Sequence, residues 1–174
     1  AFSAFEVELL EEMANDLSFG IRTLRTRTAL NARNAELRKL SLIVEQSPHA
    51  VIVTDLQANI EYVNDTLVRR SGFQRDQVLG RNARLFKSGK TPPATYQDMW
   101  QTLQKAQTWT GEFISRSHSG EEQIESVIVV PLVQEDGAVT HYVAIKEDIT
   151  RRKRMADELA LHREHLEELV VERT

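Results

Sequence analysis

The stretch from Gly111 to Thr150, GEFISRSHSGEEQIESVIVVPLVQEDGAVTHYVAIKEDIT, constrains the fold more than any other part of the chain. Two turn signals, Ser119-Gly120 and Glu135-Asp136-Gly137, divide it into runs rich in β-branched residues, which predicts three strands followed at once by a charged helix. Strands joined by turns this short are antiparallel neighbours, because a parallel pair needs a long crossover. Period-2 alternation puts Phe113, Ser115, Glu125, Val127, Val129, Tyr142, Ala144 and Lys146 on one face. It puts Ile114, Ile124, Ile128, Val130, Val143 and Ile145 on the other. Both sets are largely apolar, so the sheet expects cover on both sides. Ser115, Glu125 and Lys146 are polar groups on the first face, where a plain core would hold none. The turn at 134–137 places Glu125 opposite Lys146 on adjacent strands, where the two would pair and fill the pocket themselves.

Upstream, residues 3 to about 47 read as helix almost throughout. Ser3 and Glu6 have capping-box spacing. A 3-4 repeat then runs Leu10, Ala14, Leu17, Ile21, Leu24, Thr28, Asn31, Ala35, Arg38, Leu42, the seam of a coiled coil. Pro48 ends the helix. AVIVTD (50–55) and IEYVN (60–64) read as a strand pair. Asn64 caps the helix DTLVRRSG, which Gly72 stops, and a second short helix spans Arg75 to Leu79 before Gly80. Residues 80–90 are irregular. Thr91 and Pro92 open the helix PPATYQDMWQTLQKAQ as cap and first residue, with Tyr96, Met99, Trp100 and Leu103 as its apolar stripe. The outer-face strip around Ile128 and Val143 calls for cover, for which the helix near Leu40 and Ile43 is the nearer candidate. The tail repeats a 3-4 seam, Arg152, Met155, Leu159, His162, Leu166, Leu169, Arg173. The fold class is α+β: a five-stranded antiparallel sheet with short helices on one face, flanked by long N- and C-terminal helices.

A net charge of −4 argues against a dedicated nucleic-acid partner. The absence of cysteine excludes disulfides, thiolate metal sites and cysteine nucleophiles. No apolar run approaches the ~20 residues needed to span a bilayer. The abrupt start and the end inside a helix read as an excised piece of a longer cytoplasmic protein.

The element order, together with VIVTDLQANIEYVND, SGFQRDQVLGRN, the long helix ending in TWTGEF and the closing EDIT (147–150), resembles a PAS domain over about residues 41 to 150. Residues 5 to about 27 resemble the terminal helix of a GAF domain. The tail RRKRMADELALHREHLEELVVERT resembles the helix that leads from a PAS module into a histidine-kinase dimerisation region. The resemblance divides the chain into an N-terminal signalling helix (1–40), a PAS domain (41–150) and a coiled-coil linker helix (151–174). It implies a multidomain sensor kinase as the parent.

The family divides by what its pocket holds. The light-sensing LOV branch carries a reactive cysteine after the asparagine of a GxNC motif. Here the motif reads Gly80-Arg81-Asn82-Ala83, so no flavin photoadduct can form. Three amides hold the flavin in that branch, and Ser115, Glu125 and Lys146 match their positions. A second branch, the FAD-binding redox sensor that controls nitrogen fixation, is similar around SGKTPPATYQDMWQTLQKAQTWTG, where the counterpart of Trp109 belongs to the flavin environment. The resemblance therefore implies Asn82, Trp109, Ser115, Glu125 and Lys146 as pocket residues and leaves the cofactor open, with FAD the one that the second branch would supply. The competing role for Trp109 is a structural anchor at the sheet edge. Haem is disfavoured, because His49, His118 and His141 sit at turns or strand ends and His162 and His165 lie in the tail.

The sequence around His162 and His165 lacks the His-Glu-x-x-Thr-Pro pattern of a phosphoacceptor, and GxGxxG and P-loop patterns are absent, so no enzyme activity is expected. Asp148 and Thr150 are the expected coupling point, where a carboxylate and a hydroxyl bond the helix start and the basic side chains of Arg151 to Arg154. The expected function is a sensory module, dimeric through parallel helices seamed by Leu17, Ile21, Leu24, Leu159, Leu166 and Leu169, that drives a C-terminal output domain. The alternatives are an FAD-dependent redox sensor and a ligand-free dimerisation spacer.

Overall fold

Short turns dictate most of the topology. The computed structural model describes residues 4–172, and the side chains of Arg22 and residues 24–163. The chain divides into two units, the first ending at Ile43 and the second beginning at Val44. The first is a single helix, α1 (Ala4–Glu45), whose final two residues belong to the second unit. Its described leucines are solvent-facing, from Leu40 at 55 % to Leu24 at 65 % exposed. The capping pair Ser3 and Glu6 and the seam positions Leu17 and Ile21 lie outside the described side chains.

The second unit runs β1 (Ala50–Thr54), β2 (Ile60–Val63), α2 (Asp65–Ser71), α3 (Arg75–Val78), a 3-10 turn (Ala83–Phe86), α4 (Pro93–Leu103), β3 (Trp109–Arg116), β4 (Glu122–Val133), β5 (Val139–Asp148) and α5 (Thr150–Glu172). The strands form one antiparallel sheet in the order β2-β1-β5-β4-β3. The α+β class and all five strands therefore agree with the sequence reading. Asn64 caps α2 as expected and does more. Its Oδ1 accepts from the amides of Leu67 and Val51, and its Nδ2 donates to the carbonyls of Val44 and His49. One fully buried amide thus ties β1, α2 and the end of α1 together. Gly72 closes α2 in the left-handed conformation (φ 72°).

Three local expectations change. Thr91 does not cap α4; its hydroxyl accepts from the amide of Ile114 at 2.8 Å, so a tertiary bond takes the group a cap would use. Helix α4 stops at Leu103, short of the predicted 107, and the chain turns through Ala106 at φ 54°. Glu125 faces Asp148 and Lys146 faces Val127, two residues away from the expected register. The β4–β5 loop closes between Gln134 and Ala138 with Gly137 at φ 84°, which shifts the pairing by one residue, and a bulge between Leu132 and Val133 adds another.

The inner face carries two apolar clusters, one around Ile52, Ile60, Val63 and Phe86 and one around Met99, Leu103, Trp109 and Val127, with Ala144 touching both. The other face is half-buried at Ile114, Ile124, Val130, Val143 and Ile145, and Ile128 is 41 % exposed. The inner face is the more deeply covered of the two, although Phe113, Tyr142 and Ala144 on it are half-buried.

Candidate functional site

A cavity of about 200 Å³ separates the inner face from the helices. Its floor is Ile52, Val127, Val129 and Ala144, set there by strand alternation. The stripe of α4 predicted from the sequence, Tyr96, Met99, Trp100 and Leu103, forms the opposite wall. Asn82, Ala83, Arg84 and Lys87, in and beside the 3-10 turn, stand along the lining with Gln57 and Ala58. Aromatic rings dominate the sides: Trp100 meets Tyr142 edge-on at 5.8 Å, and Tyr96 stacks on Phe113 at 5.0 Å.

The structure brings Ser115, Glu125 and Lys146 together, at 8, 4 and 6 % exposure. Lys146 Nζ lies 2.7 Å from Glu125 Oε2, and the Ser115 hydroxyl donates to the same oxygen. Sequence reasoning missed the fourth member. Arg70, in the last turn of α2, donates through Nη2 to Glu125 Oε1 at 3.2 Å and through Nη1 to the Lys146 carbonyl at 3.0 Å. Both carboxylate oxygens are therefore engaged, and the cluster carries two cations against one anion. Ser115 and Lys146 line the cavity, while Glu125 sits behind them.

The two remaining pocket candidates are placed differently. Asn82 lines the cavity, but its side chain serves the loop: Oδ1 accepts from Arg84 and Nδ2 donates to the Gln57 carbonyl at 2.8 Å. Trp109 does not line it. Its indole is 4 % exposed, stacks on Phe113 at 5.1 Å and donates from Nε1 to Asp98 Oδ2 at 2.8 Å. The ring lies across Gly111, where a Cβ would collide with it. Trp109 therefore anchors edge strand β3 and backs the cavity wall through Phe113. Among the described residues no histidine lines the cavity. His118 packs on Phe73 and His141 pairs with Glu61, and His165 lies outside the described side chains.

The junction between β5 and α5 is tightly bonded. Thr150 Oγ1 accepts from the Ile124 amide at 2.9 Å and donates to Asp148 Oδ1 at 2.6 Å, while the Ile149 amide donates to the Ile124 carbonyl. Asp148 also accepts from the Thr150 amide at 2.9 Å, which caps the new helix. Among the described residues Asp148 makes no ion pair with Arg151–Arg154; its carboxylate bonds Thr150 instead. Arg152 pairs with Glu147 at 3.5 Å and Lys153 with Glu112 at 3.0 Å. Along α5, Met155 and Leu159 are 58 and 71 % exposed, and Leu166 and Leu169 lie outside the described side chains.

A second junction was not anticipated. Glu45 accepts from the Tyr62 hydroxyl at 2.7 Å, from the Asp65 amide at 2.9 Å and from Nη1 and Nη2 of Arg75. Arg75 holds the Glu45 carboxyl below the usual carboxylate range, and burial with the Glu45 bond raises the Tyr62 phenol to about 12. The available signal was an acid in the last turn of a helix with no basic residue there, where the macrodipole disfavours it and a tertiary partner is required.

A family model described as "PAS domain" matches residues 48–151. The nitrogen fixation regulatory protein of Klebsiella pneumoniae is 37% identical over 108 residues, covering 62% of this chain and 22% of that protein. The aerotaxis receptor of Escherichia coli K12 is 33% identical over 97 residues, 56% of this chain and 19% of that one. Sensor kinases also occur among the relatives. An RNA-binding light-oxygen-voltage receptor superposes with a TM-score of 0.63 at 22% identity, over 70% of this chain and 36% of that chain, a likeness of fold alone. The chain spans about a fifth of the length of the curated relatives it matches. No helix among the described residues is long and apolar enough to cross a membrane.

Proposed function

The chain belongs to the PAS domain family, and from that premise we propose that it is a sensory module that passes a change in its cavity through α5 to an output domain, a histidine kinase. One observation carries this reading. Lys146, which lines the cavity, is bonded to Glu125, and the next residue on β4, Ile124, holds Thr150 at the start of α5. A change in the cavity can move the exit helix only through contiguous rigid contacts, and these are contiguous. The relatives that are sensor kinases support the choice of output.

The same proposal takes residues 1–40 as a helix inherited from a GAF-like domain, 41–150 as the sensor and 151–174 as the linker. It makes the module a cytoplasmic, parallel homodimer that relays and does not catalyse. Epistasis in the full-length protein tests it. Lys146→Met should change output, and Thr150→Val should abolish that change. Effects that simply add would show that the signal leaves the domain elsewhere.

A second reading, an FAD-dependent redox sensor, is favoured by the aromatic walls. When bound, flavin supplies reversible two-electron redox chemistry. The chain's part would be to hold the planar ring between Trp100, Tyr142 and the floor, with the Lys146 ammonium as donor at the inner end. Ala83 lines the cavity and brings a methyl group to the cysteine position of the light-sensing branch, so thiol chemistry has no place there. Titration with FAD, read by visible absorption, decides. Protein that stays colourless and binds none removes the cofactor and leaves the relay or a ligand-free spacer.

A further inference from the structure

Ile124 is held to the exit helix by its own backbone and to α2 through both of its neighbours. Its amide donates to Thr150 Oγ1, and its carbonyl accepts from the Ile149 amide. Strand alternation sends Gln123 and Glu125 to the face that Ile124 leaves, and there both meet Arg70. Gln123 Nε2 donates to the Arg70 carbonyl at 3.4 Å, and Glu125 Oε1 accepts from Arg70 Nη2 at 3.2 Å. Arg70 Nη1 adds a bond to the Lys146 carbonyl at 3.0 Å. One residue of α2 therefore grips β4 and β5 beside the point where α5 is attached.

The opposite end of α2 is fixed to the segment by which the chain enters the sheet. Asn64, its cap, donates to the carbonyls of Val44 and His49. The Asp65 amide donates to Glu45 at 2.9 Å, and the Thr66 hydroxyl donates to the Ser47 carbonyl at 2.6 Å. The helix between these two sets of bonds has only seven residues and contains neither glycine nor proline. It is about 10 Å long, too short to bend without a kink-forming residue, so it moves as one body. A displacement of residues 44–49 at its first turn is delivered to its last.

We propose that Arg70 is a positioning residue that brings a second input, from the entry segment 44–49, to the carboxylate on which the cavity already acts. This rests on the reading of Glu125, Ile124 and Thr150 as the path to the output. Lys146 pulls on one oxygen of Glu125 and Arg70 on the other, so the two inputs converge before the signal reaches α5. A competing route exists, because Asn64 also accepts from the Val51 amide on β1, which pairs with β5. That route does not pass through Arg70, and the two are separable.

Nitrogen–proton spectra of this chain, with hydrogen exchange, provide the test. Glu45→Gln should shift the amides of Ile124, Ile149 and Thr150, none of which touches Glu45. It should also speed exchange at Ile124 and Ile149 at least about twofold, the lower end of coupling through packed networks. Arg70→Lys keeps a cation beside Glu125 but loses the planar fork that spans Glu125 and the Lys146 carbonyl. In that background the distant shifts should shrink, and with Gln123→Leu added they should vanish, while Asp65 still responds to Glu45→Gln. Distant shifts that persist in Arg70→Lys/Gln123→Leu would assign the coupling to β1 and β5 and overturn the proposal. So would shifts confined to the residues that touch Glu45. Lys146→Met is the control: if it moves Thr150 and Glu45→Gln does not, the cavity relay stands and the second input falls. If neither moves Thr150, both fall.

Discussion

Lys146 Nζ reaches Oε2 of Glu125 at 2.7 Å although the two residues are not opposite each other in the sheet. They are diagonal neighbours on the inner face, within reach of a long lysine side chain. The offset frees the other carboxylate oxygen for Arg70, so one glutamate on β4 joins strand β5 and helix α2.

This arrangement makes the three charges unequal. Glu125→Gln leaves Lys146 and Arg70 without a carboxylate and should cost about 3–5 kcal/mol, the usual consequence of stranding a buried charge. Lys146→Met leaves Glu125 paired with Arg70 and should cost only about 1–2 kcal/mol. Combining the two should recover stability relative to Glu125→Gln alone, because one stranded cation is gone. Urea unfolding of the three variants checks the order, and a Lys146→Met loss as large as that of Glu125→Gln would contradict it.

Gly111 is required by its neighbour rather than by its own backbone. Gly111→Ala drives a methyl group into the Trp109 ring, and the indole must leave Phe113 or release Asp98. The expected cost is about 1–3 kcal/mol, the range for overpacking. Near-ultraviolet circular dichroism should lose the signature of the stacked aromatics. An unchanged spectrum and melting temperature would mean that the edge tolerates the extra carbon.

The Glu45 junction sets two pH limits of opposite sign. The Glu45 pKa is lowered in the folded state, chiefly by the Arg75 bond, so its contribution is full above the unfolded value of 4.5 and is lost as pH falls through the lower folded one. The Tyr62 pKa is raised from 10.0 to about 12 by burial and then by the Glu45 bond, so its contribution is full below 10.0 and lost as pH rises toward 12. Glu45→Gln should flatten the acid limb of a stability–pH curve, and Tyr62→Phe the alkaline limb. Acid limbs of equal slope in wild type and Glu45→Gln would assign the loss to other carboxylates.

Features that depend on local rules were legible in the sequence, and those set by distant partners were not. Alternation over β3–β5 separated the two faces and singled out Ser115, Glu125 and Lys146, because side-chain direction in a strand depends only on the strand itself. Asn64, Gly72 and the stripe of α4 were legible for the same local reason. Register was not, since a three-residue loop and one bulge each moved it by a residue, and neither alters the hydrophobic pattern. Arg70 was invisible as a site residue because its partners lie 55 and 76 positions away. Thr91 fitted a local motif and was drawn off by Ile114. Trp109 was placed near a cofactor by resemblance, and only its bond to Asp98 and the gap left by Gly111 show it as an anchor.

The exit helix gives the last prediction. Thr150 is fixed to Ile124, so residues inserted after it leave the sheet side of the junction intact and rotate only the helix beyond the insertion. One residue turns the downstream face by about 100°, and seven nearly restore it. Met155 and Leu159 are one helical step apart on the same face and point into solvent, which is where a second copy of the helix would pack. In the full-length protein, output should therefore vary with insertion length at a seven-residue period. In the isolated chain, Leu159→Cys should cross-link two copies at that position. A monotonic loss of output with length, or a dimer that resists cross-linking at residue 159, would mean that the helices do not meet along this face and that rotation of α5 is not the signal.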